Sequence, residues 1–207
     1  MEQTTPARCL NGRTEIEDDV SLVRKFREGQ EEAFDALVRK HQQRVFNTAF
    51  HILRNYEDAN EIAQDTFVKV YQHLKDFRGD AAFTTWAYQI VTNLSRNRIR
   101  YNERRHKNDS VSIDGSNNSE DGPPPLQLAD PAQTPDKEAA VSEQARTITE
   151  AMNRLSEAHR EILTLRALQE LSYEEISEAL DCSLGTVKSR IARAREELQK
   201  VLKGMID

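Results

Sequence analysis

A long polar segment divides this chain and most strongly constrains its fold. Residues 108–139 read NDSVSIDGSNNSEDGPPPLQLADPAQTPDKEA, with many Pro, Gly, Ser and Asn, few apolar residues and no periodicity. Such a segment cannot bury enough apolar surface to offset the entropy lost on ordering. We therefore expect a disordered tail over 1–19, folded units over 20–107 and 141–207, and a flexible acidic linker over 108–140.

The linker also accounts for the acidity of the chain. It holds one Lys and seven Asp or Glu, so it alone matches the net charge of −6 of the whole sequence. The plain interpretation of such a composition is a spacer. The sharper alternative is that its negative charge mimics nucleic acid inside a basic channel.

Both units carry apolar residues at helical spacing. Gly is scarce, with 7 in 207 residues, and Ala, Leu, Glu, Arg and Gln are common, which favours helices. The sequence therefore predicts an all-α fold of two small helical domains, the second with a helix-turn-helix. No stretch approaches the roughly 18 apolar residues of a membrane span, and no signal peptide is visible, so we expect a cytoplasmic protein.

One helix of the first unit has an acidic face. The segment RNYEDANEIAQDTFVKVYQHLKDF, residues 54–77, places Asp58, Glu61 and Asp65 opposite its apolar side. Acidic side chains near a helix N-terminus favourably oppose the helix dipole. The alternative is a docking face for a basic partner.

The next helix is basic and aromatic. The segment TTWAYQIVTNLSRNRIRYNERRHK begins at Thr84, and we expect a helix from about Thr85 to Arg105 that Thr84 or Thr85 caps. Helical winding gives a buried stripe at Ala87, Ile90, Leu94 and Tyr101. A polar stripe, with Trp86 at its rim, comprises Gln89, Asn93, Arg96, Asn97 and Arg100.

The chemistry of this helix suits nucleic acid. Amide and guanidinium groups one turn apart match base edges, and Arg matches phosphates. Phe83, Trp86 and Tyr88 offer flat faces on which unpaired bases can stack, worth about 1–3 kcal/mol per base. Aromatic residues in a helix are more often core, and a basic run is more often a solvated face. Their combination indicates contact with single-stranded or melting nucleic acid.

The C-terminal segment predicts a helix-turn-helix. Ser172 and Glu175 form a capping box, and Ser183 can cap a longer helix after a three-residue turn. That last helix has an apolar stripe and an opposite face with Thr186, Lys188, Ser189, Arg190 and Arg193. Its N-terminal part would enter the major groove, with Lys188 mainly on phosphate. A helical hairpin with a charged outer face remains the alternative.

In three blocks the chain resembles bacterial extracytoplasmic-function (ECF) sigma factors, the small alternative sigma factors of RNA polymerase. NYEDANEIAQDTFVKVY resembles the block that docks on the clamp coiled coil of the largest catalytic subunit. FRGDAAFTTWAYQIVTNLSRNRIR resembles the promoter-melting and −10-reading block, and LSYEEISEALDCSLGTVKSRIARAREEL the −35-reading helix-turn-helix. The resemblance covers residues 20–105 and 141–203.

The resemblance implies a role for each matching residue. Polymerase docking is implied for Asp58, Glu61, Gln64, Asp65 and Phe67. A role in melting is implied for Phe83, Thr84, Thr85 and Trp86, and a role in reading the −10 element for Asn93 and Arg100. Because they share the polar stripe with Asn93 and Arg100, we add Gln89, Arg96 and Asn97 to the −10 set. The −35 set is Ser183, Thr186, Lys188, Ser189, Arg190 and Arg193. The family commonly has Asp where this chain has Asn97, and the linker resembles the connector that threads towards the polymerase active centre.

We therefore predict an alternative sigma factor that directs core RNA polymerase to −35 and −10 elements and initiates melting. The implied partners are core RNA polymerase, through its clamp coiled coil and flap, promoter DNA, and an anti-sigma factor. The two units could pack together when inactive and separate on the polymerase. No catalytic, cofactor-binding or metal site is expected, since no nucleophile, base and metal constellation is evident. The alternatives are a free-standing helix-turn-helix regulator that binds duplex DNA without polymerase, and a protein-binding adaptor.

Overall fold

The computed structural model of the protein describes residues 18–109 and 146–206, which we call the first and second units. Both are built from helices joined by short turns. Residues 110–140 of the predicted linker, almost all of the predicted tail and residues 141–145 lie outside the described residues. Residues 108 and 109, where the linker was predicted to begin, are instead helical.

The first unit has four helices: α1 (Asp19–Arg27), α2 (Glu32–Leu53), α3 (Tyr56–His73) and α4 (Phe83–Asp109). Gly29, at φ +93°, lies in the turn between α1 and α2, a conformation that suits glycine. The Asn55 side chain caps α3 by accepting from the Asp58 amide at 2.8 Å. A core of fully buried side chains, including Leu37, Val70 and Leu74, holds the helices together.

The second unit begins with α5, described over residues 146–153. It continues with α6 (Glu157–Leu163), a π-helical turn (Thr164–Leu168), α7 (Tyr173–Leu180) and α8 (Leu184–Ile206). The predicted capping box at the start of α7 is present, with Ser172 and Glu175 each bonding the other's backbone amide. Three residues separate α7 from α8, so the predicted helix-turn-helix is confirmed.

The two units pack against each other in this structure. One apolar cluster includes Ala49 and Val91 of the first unit together with Met152, Ile162 and Leu165 of the second. Helix α4 packs along α7, and α2 contacts α6 and the π-helical turn. That the units separate on the polymerase stays a prediction.

Two predictions for α4 are wrong. The helix already begins at Phe83, so neither Thr84 nor Thr85 caps it. Its buried face includes Thr92, fully buried, whereas Tyr101 is 58% exposed. A stripe drawn from apolarity misses Thr92, because that hydroxyl donates to the Tyr88 carbonyl at 2.8 Å and so can be buried.

Candidate nucleic-acid and protein-docking surfaces

The polar stripe of α4 divides into an open and a covered part. Asn93, Asn97 and Arg100 are exposed, whereas Gln89 and Arg96 are half-buried. Arg96 Nη2 donates to Glu161 Oε2 on α6 at 2.8 Å. The predicted DNA-binding stripe is therefore partly engaged by the second unit.

The predicted stacking aromatics also divide, because Phe83 and Tyr88 are buried at 4% and 3% exposure. Neither offers a free face, which corrects the prediction for both. Only Trp86 of the three is half-exposed, and it stacks on Phe77 with ring centroids 4.8 Å apart and planes 24° apart. Phe83 contacts both rings edge-on and supports the Trp86–Phe77 stack from below the surface.

Tyr88 instead joins the two units. Its hydroxyl donates to Gln169 Oε1 at 2.6 Å, and burial raises the pKa of Tyr88, which keeps that hydroxyl protonated. Gln169 directly follows the π-helical turn, and its backbone N–H donates to the Thr164 carbonyl. The sequence analysis missed this role, because a tyrosine inside a helix gives no local sign of a partner 81 positions away.

An open cleft of about 320 Å³ lies beside Trp86. The turn between α3 and α4 forms much of its wall, and Trp86, Gln89 and, from α7, Glu178 also line it. Thr85, 1% exposed, lines it too, and Thr85 Oγ1 has no hydrogen-bond partner among the described residues. Sequence reasoning placed a turn at Gly79 and Asp80 but did not assign Phe77 to the site, although an aromatic residue beside that turn was an available signal.

The predicted docking residues of α3 fall into three groups. Gln64 and Asp65 are exposed, whereas Phe67 lies in the core at 9% exposure, so its side chain is not a surface feature here. Asp58 and Glu61 both contact Arg98 of α4. The hydrogen bond from Arg98 holds the pKa of Glu61 below its usual range, so the carboxylate stays ionised.

The outer face of α8 is built as predicted. Ser183 caps the helix by accepting from the Thr186 amide at 3.2 Å. Lys188, Ser189 and Arg193 are exposed, and Thr186 and Arg190 are half-exposed. The opposite stripe of α8 is buried against the rest of the second unit, at Val187, Ile191 and Ala194.

Among residues 18–109 and 146–206, no group of His, Cys, Asp and Glu is arranged to hold a metal ion. Over the same ranges no helix combines the length and apolarity that crossing a membrane requires.

Each of the two units matches a known protein family. Residues 37–105 match sigma-70 region 2, and residues 145–198 match sigma-70 region 4. The chain is 34% identical over 189 residues to the ECF RNA polymerase sigma-E factor of Haemophilus influenzae, covering 91% of this chain and 97% of that one. The chain belongs to the ECF sigma factors of RNA polymerase. This sigma factor is also 34% identical to the RNA polymerase sigma-H factor of Pseudomonas aeruginosa, over 92% of its own length and 96% of the relative's.

Solved structures share the fold of this sigma factor. The Bartonella quintana sigma factor RpoE, in complex with the anti-sigma factor NepR, matches with a TM-score of 0.63 at 22% identity, over 82% of this chain and 96% of that chain. CnrH, in complex with the cytosolic domain of CnrY, matches with a TM-score of 0.62 at 24% identity, over 91% and 99% of the two chains. The all-helical prediction is confirmed.

Proposed function

We propose that this sigma factor directs core RNA polymerase to promoters with −35 and −10 elements and begins melting at the −10 element. The first unit would dock on the polymerase and hold the −10 element, and the second would read the −35 element. One observation carries the proposal: Trp86 of α4, stacked on Phe77 of the segment before it, stands at an open cleft directly before the polar stripe of α4. DNA-binding as a transcription initiation factor follows from family membership.

Melting would use the cleft. An unstacked base needs a flat surface and a space outside the duplex, and Trp86 and the adjacent cleft supply these. The exposed Asn93, Asn97 and Arg100 continue in the same direction along α4 and would hold neighbouring bases and phosphates. Phe83, being buried, would act by supporting Trp86 rather than by stacking on a base.

Reading of the −35 element would use α8. Its exposed Lys188, Ser189 and Arg193 lie in the first three turns of the helix, the part that enters the major groove in a helix-turn-helix. Arg193 suits a guanine edge, and Lys188 suits a phosphate.

Polymerase docking would use α3. Gln64 and Asp65 are exposed, and the Glu61 side chain is 59% exposed although Arg98 contacts it. This polar and acidic surface suits a basic partner, in line with the clamp coiled coil that the family resemblance implies. Tethering two weak DNA contacts to one large enzyme raises their effective concentration, so the sigma factor itself need not be basic.

Regulation by an anti-sigma factor is a further part of the proposal. Its support is that two of the structural neighbours were solved in complexes: RpoE with the anti-sigma factor NepR, and CnrH with the cytosolic domain of CnrY. For the acidic linker we retain the proposal that it enters the polymerase channel.

Run-off transcription tests the proposal. The purified sigma factor is added to bacterial core polymerase and genomic DNA fragments, and the transcripts are sequenced. Discrete start sites that share −35 and −10 motifs, and that vanish without the sigma factor, are the expected result. Tight binding to duplex DNA by the protein alone, with no added transcripts, would instead establish a free-standing regulator.

A further inference from the structure

A buried histidine, His41 of α2, lies beneath the aromatic rings at the cleft. Its ring packs against the ring of Phe83, with centroids 5.3 Å apart and planes inclined by 47°. Phe83 in turn contacts Trp86 at 6.1 Å and Phe77 at 6.4 Å, both edge-on. These separations are typical of favourable aromatic pairs. The rings of His41, Phe83, Trp86 and Phe77 therefore form one continuous series, the ring series, from the core of the first unit to the cleft.

His41 is also held by Asp19, in the first turn of α1. The His41 side chain is 6% exposed, and its Nε2 lies 2.9 Å from Asp19 Oδ1. Burial would raise the pKa of Asp19, but the hydrogen bonds and charges of His41 and Lys40 hold this pKa below its usual range, so the carboxylate is ionised. Because an ionised carboxylate only accepts hydrogen bonds, His41 Nε2 carries the hydrogen and donates it.

Helix α1 holds this carboxylate in place. Asp18 caps α1 by accepting from the Ser21 amide at 2.7 Å, which secures the turn that contains Asp19. Further along α1, Phe26 is buried in the same apolar cluster as Phe83. Burying a polar ring such as that of His41 is costly unless it is hydrogen-bonded, and a hydrogen bond, unlike an apolar contact, fixes a direction. The pairing with Asp19 therefore sets the orientation of the histidine ring.

We propose that Asp19 and His41 are positioning residues for promoter melting. Asp19 orients the ring of His41, which in turn restrains Phe83. Phe83 then keeps Trp86 stacked on Phe77 at the cleft. A stacking surface that is already ordered loses less conformational freedom when it takes up an unpaired base. Neither Asp19 nor His41 touches DNA in this proposal, which rests on the melting role proposed for Trp86.

Three variants and one control test the ring series. Asp19→Ala removes the acceptor of His41, and His41→Gln keeps a donor but removes the ring that packs on Phe83. Asp19→Asn is the conservative variant, since its amide oxygen can still accept from Nε2. The control is Thr48→Ala, on the same helix as His41 but outside the ring series. Thr48 is fully buried, and its hydroxyl donates to the Arg44 carbonyl at 2.8 Å.

The fluorescence of Trp86 reports directly on the ring series, because Trp86 is the only tryptophan in the sequence. In the free protein, we expect Asp19→Ala and His41→Gln to shift the emission maximum and to steepen acrylamide quenching. Asp19→Asn and Thr48→Ala should match wild type. Circular dichroism and urea unfolding check folding and measure any loss of stability. If His41→Gln does not fold, Asp19→Ala, at a half-buried position, carries the test.

Permanganate reactivity of the −10 element measures the consequence for DNA. Asp19→Ala and His41→Gln should lower open-complex formation by about threefold or more, the scale of one aromatic contact. Their affinity for core polymerase should be unchanged, and a template already unpaired at the −10 element should restore transcription. Lower stability with wild-type quenching, altered quenching with wild-type melting, or a loss that the unpaired template does not rescue would each overturn the positioning role.

The positioning role and the proposed function fail in different ways. If wild type melts promoters and the Asp19→Ala and His41→Gln variants behave like it, the positioning role is wrong and the proposed function stands. If wild type melts no promoter with core polymerase, the proposed function is wrong, and the positioning role that rests on it falls as well.

Discussion

Arg98 of α4 and Glu61 of α3 form a two-point ion pair, with Nη2 2.7 Å from Oε1 and Nη1 2.9 Å from Oε2. Asp58 accepts from the same guanidinium, and Asn102 Nδ2 donates to its other oxygen at 3.0 Å. The helix proposed to hold the −10 element is thereby joined to the helix proposed to dock on the polymerase. Arg98 is a positioning residue in this proposal, because its guanidinium orients the Asp58 and Glu61 carboxylates of α3.

Arg98→Ala should weaken binding to core polymerase severalfold, because Asp58 and Glu61 lose the group that orients them. Start-site choice should not change, since the α4 stripe remains intact. Titration of fluorescent sigma factor with core polymerase measures the affinity, and Arg98→Lys should restore part of it. Arg104→Ala, at an exposed position of the same helix, is the control. Equal losses from the Arg98→Ala and Arg104→Ala variants would show a general charge effect rather than positioning.

Trp86→Ala should reduce open-complex formation by about tenfold or more, because one base loses its stacking partner. Trp86→Phe should retain most of the activity, since a smaller ring can still stack on Phe77. Permanganate reactivity of unpaired thymines in the −10 element measures melting. A template that is already unpaired there should restore transcription by Trp86→Ala. No rescue would assign Trp86 to folding or docking instead.

Arg193→Ala should weaken recognition of the −35 element by about tenfold, the usual loss of one good base contact. Arg195→Ala should have little effect, because Arg195 lies about 200° further round α8 although it is also exposed. Transcription from promoters with intact and scrambled −35 elements measures the difference. If Arg193→Ala lowers transcription equally on both promoters, Arg193 contacts the DNA backbone alone or does not contact DNA.

Two glutamates should give opposite pH dependences of the free energy of unfolding. Arg98 lowers the pKa of Glu61 in the folded protein. The ionised Glu61 therefore stabilises the fold above its unfolded-state pKa of about 4.5, and this stabilisation is lost as pH falls through its lower folded-state pKa. Burial raises the pKa of Glu161 in the folded protein. The contribution of Glu161 to stability is therefore greatest below pH about 4.5, and it is lost as pH rises through the higher folded-state pKa.

Urea unfolding of wild type, Glu61→Gln and Glu161→Gln between pH 3.5 and pH 7 tests this pair of predictions. Relative to Glu61→Gln, wild type should become less stable as pH falls. Relative to Glu161→Gln, it should become less stable as pH rises. The same sign for both comparisons would contradict the environments that we describe for these two carboxylates.

Much of the fold was predictable because it depends on near neighbours. The capping box of Ser172 and Glu175 and the cap at Ser183 each involve residues three positions apart, so the local sequence contains the whole interaction. The apolar stripe of α8 follows from the same short-range periodicity. The helix-turn-helix and its outward cations were therefore predicted residue by residue.

The assignment of single polar and aromatic residues was decided by tertiary packing. Phe83 and Tyr88 were predicted to face nucleic acid and are buried, while Tyr101 was predicted to be buried and is exposed. Periodicity gives one face of a helix, but α4 packs against α2, α3 and α7 together. Which of its residues is covered therefore depends on where those partners lie.

The sequence alone determined the helical class, the helix-turn-helix and the outer polar face of α8, since periodicity, capping and composition act over a few residues. The tertiary structure alone decided the pairings Arg98–Glu61 and Arg96–Glu161, whose partners are 37 and 65 positions apart. Each acid had many possible cations in a chain with 29 Lys and Arg. Only packing of the apolar helix faces brings one particular cation within ion-pair distance of each acid. The strength of an ion pair depends on the distance in space between the two charges and not on their separation along the sequence.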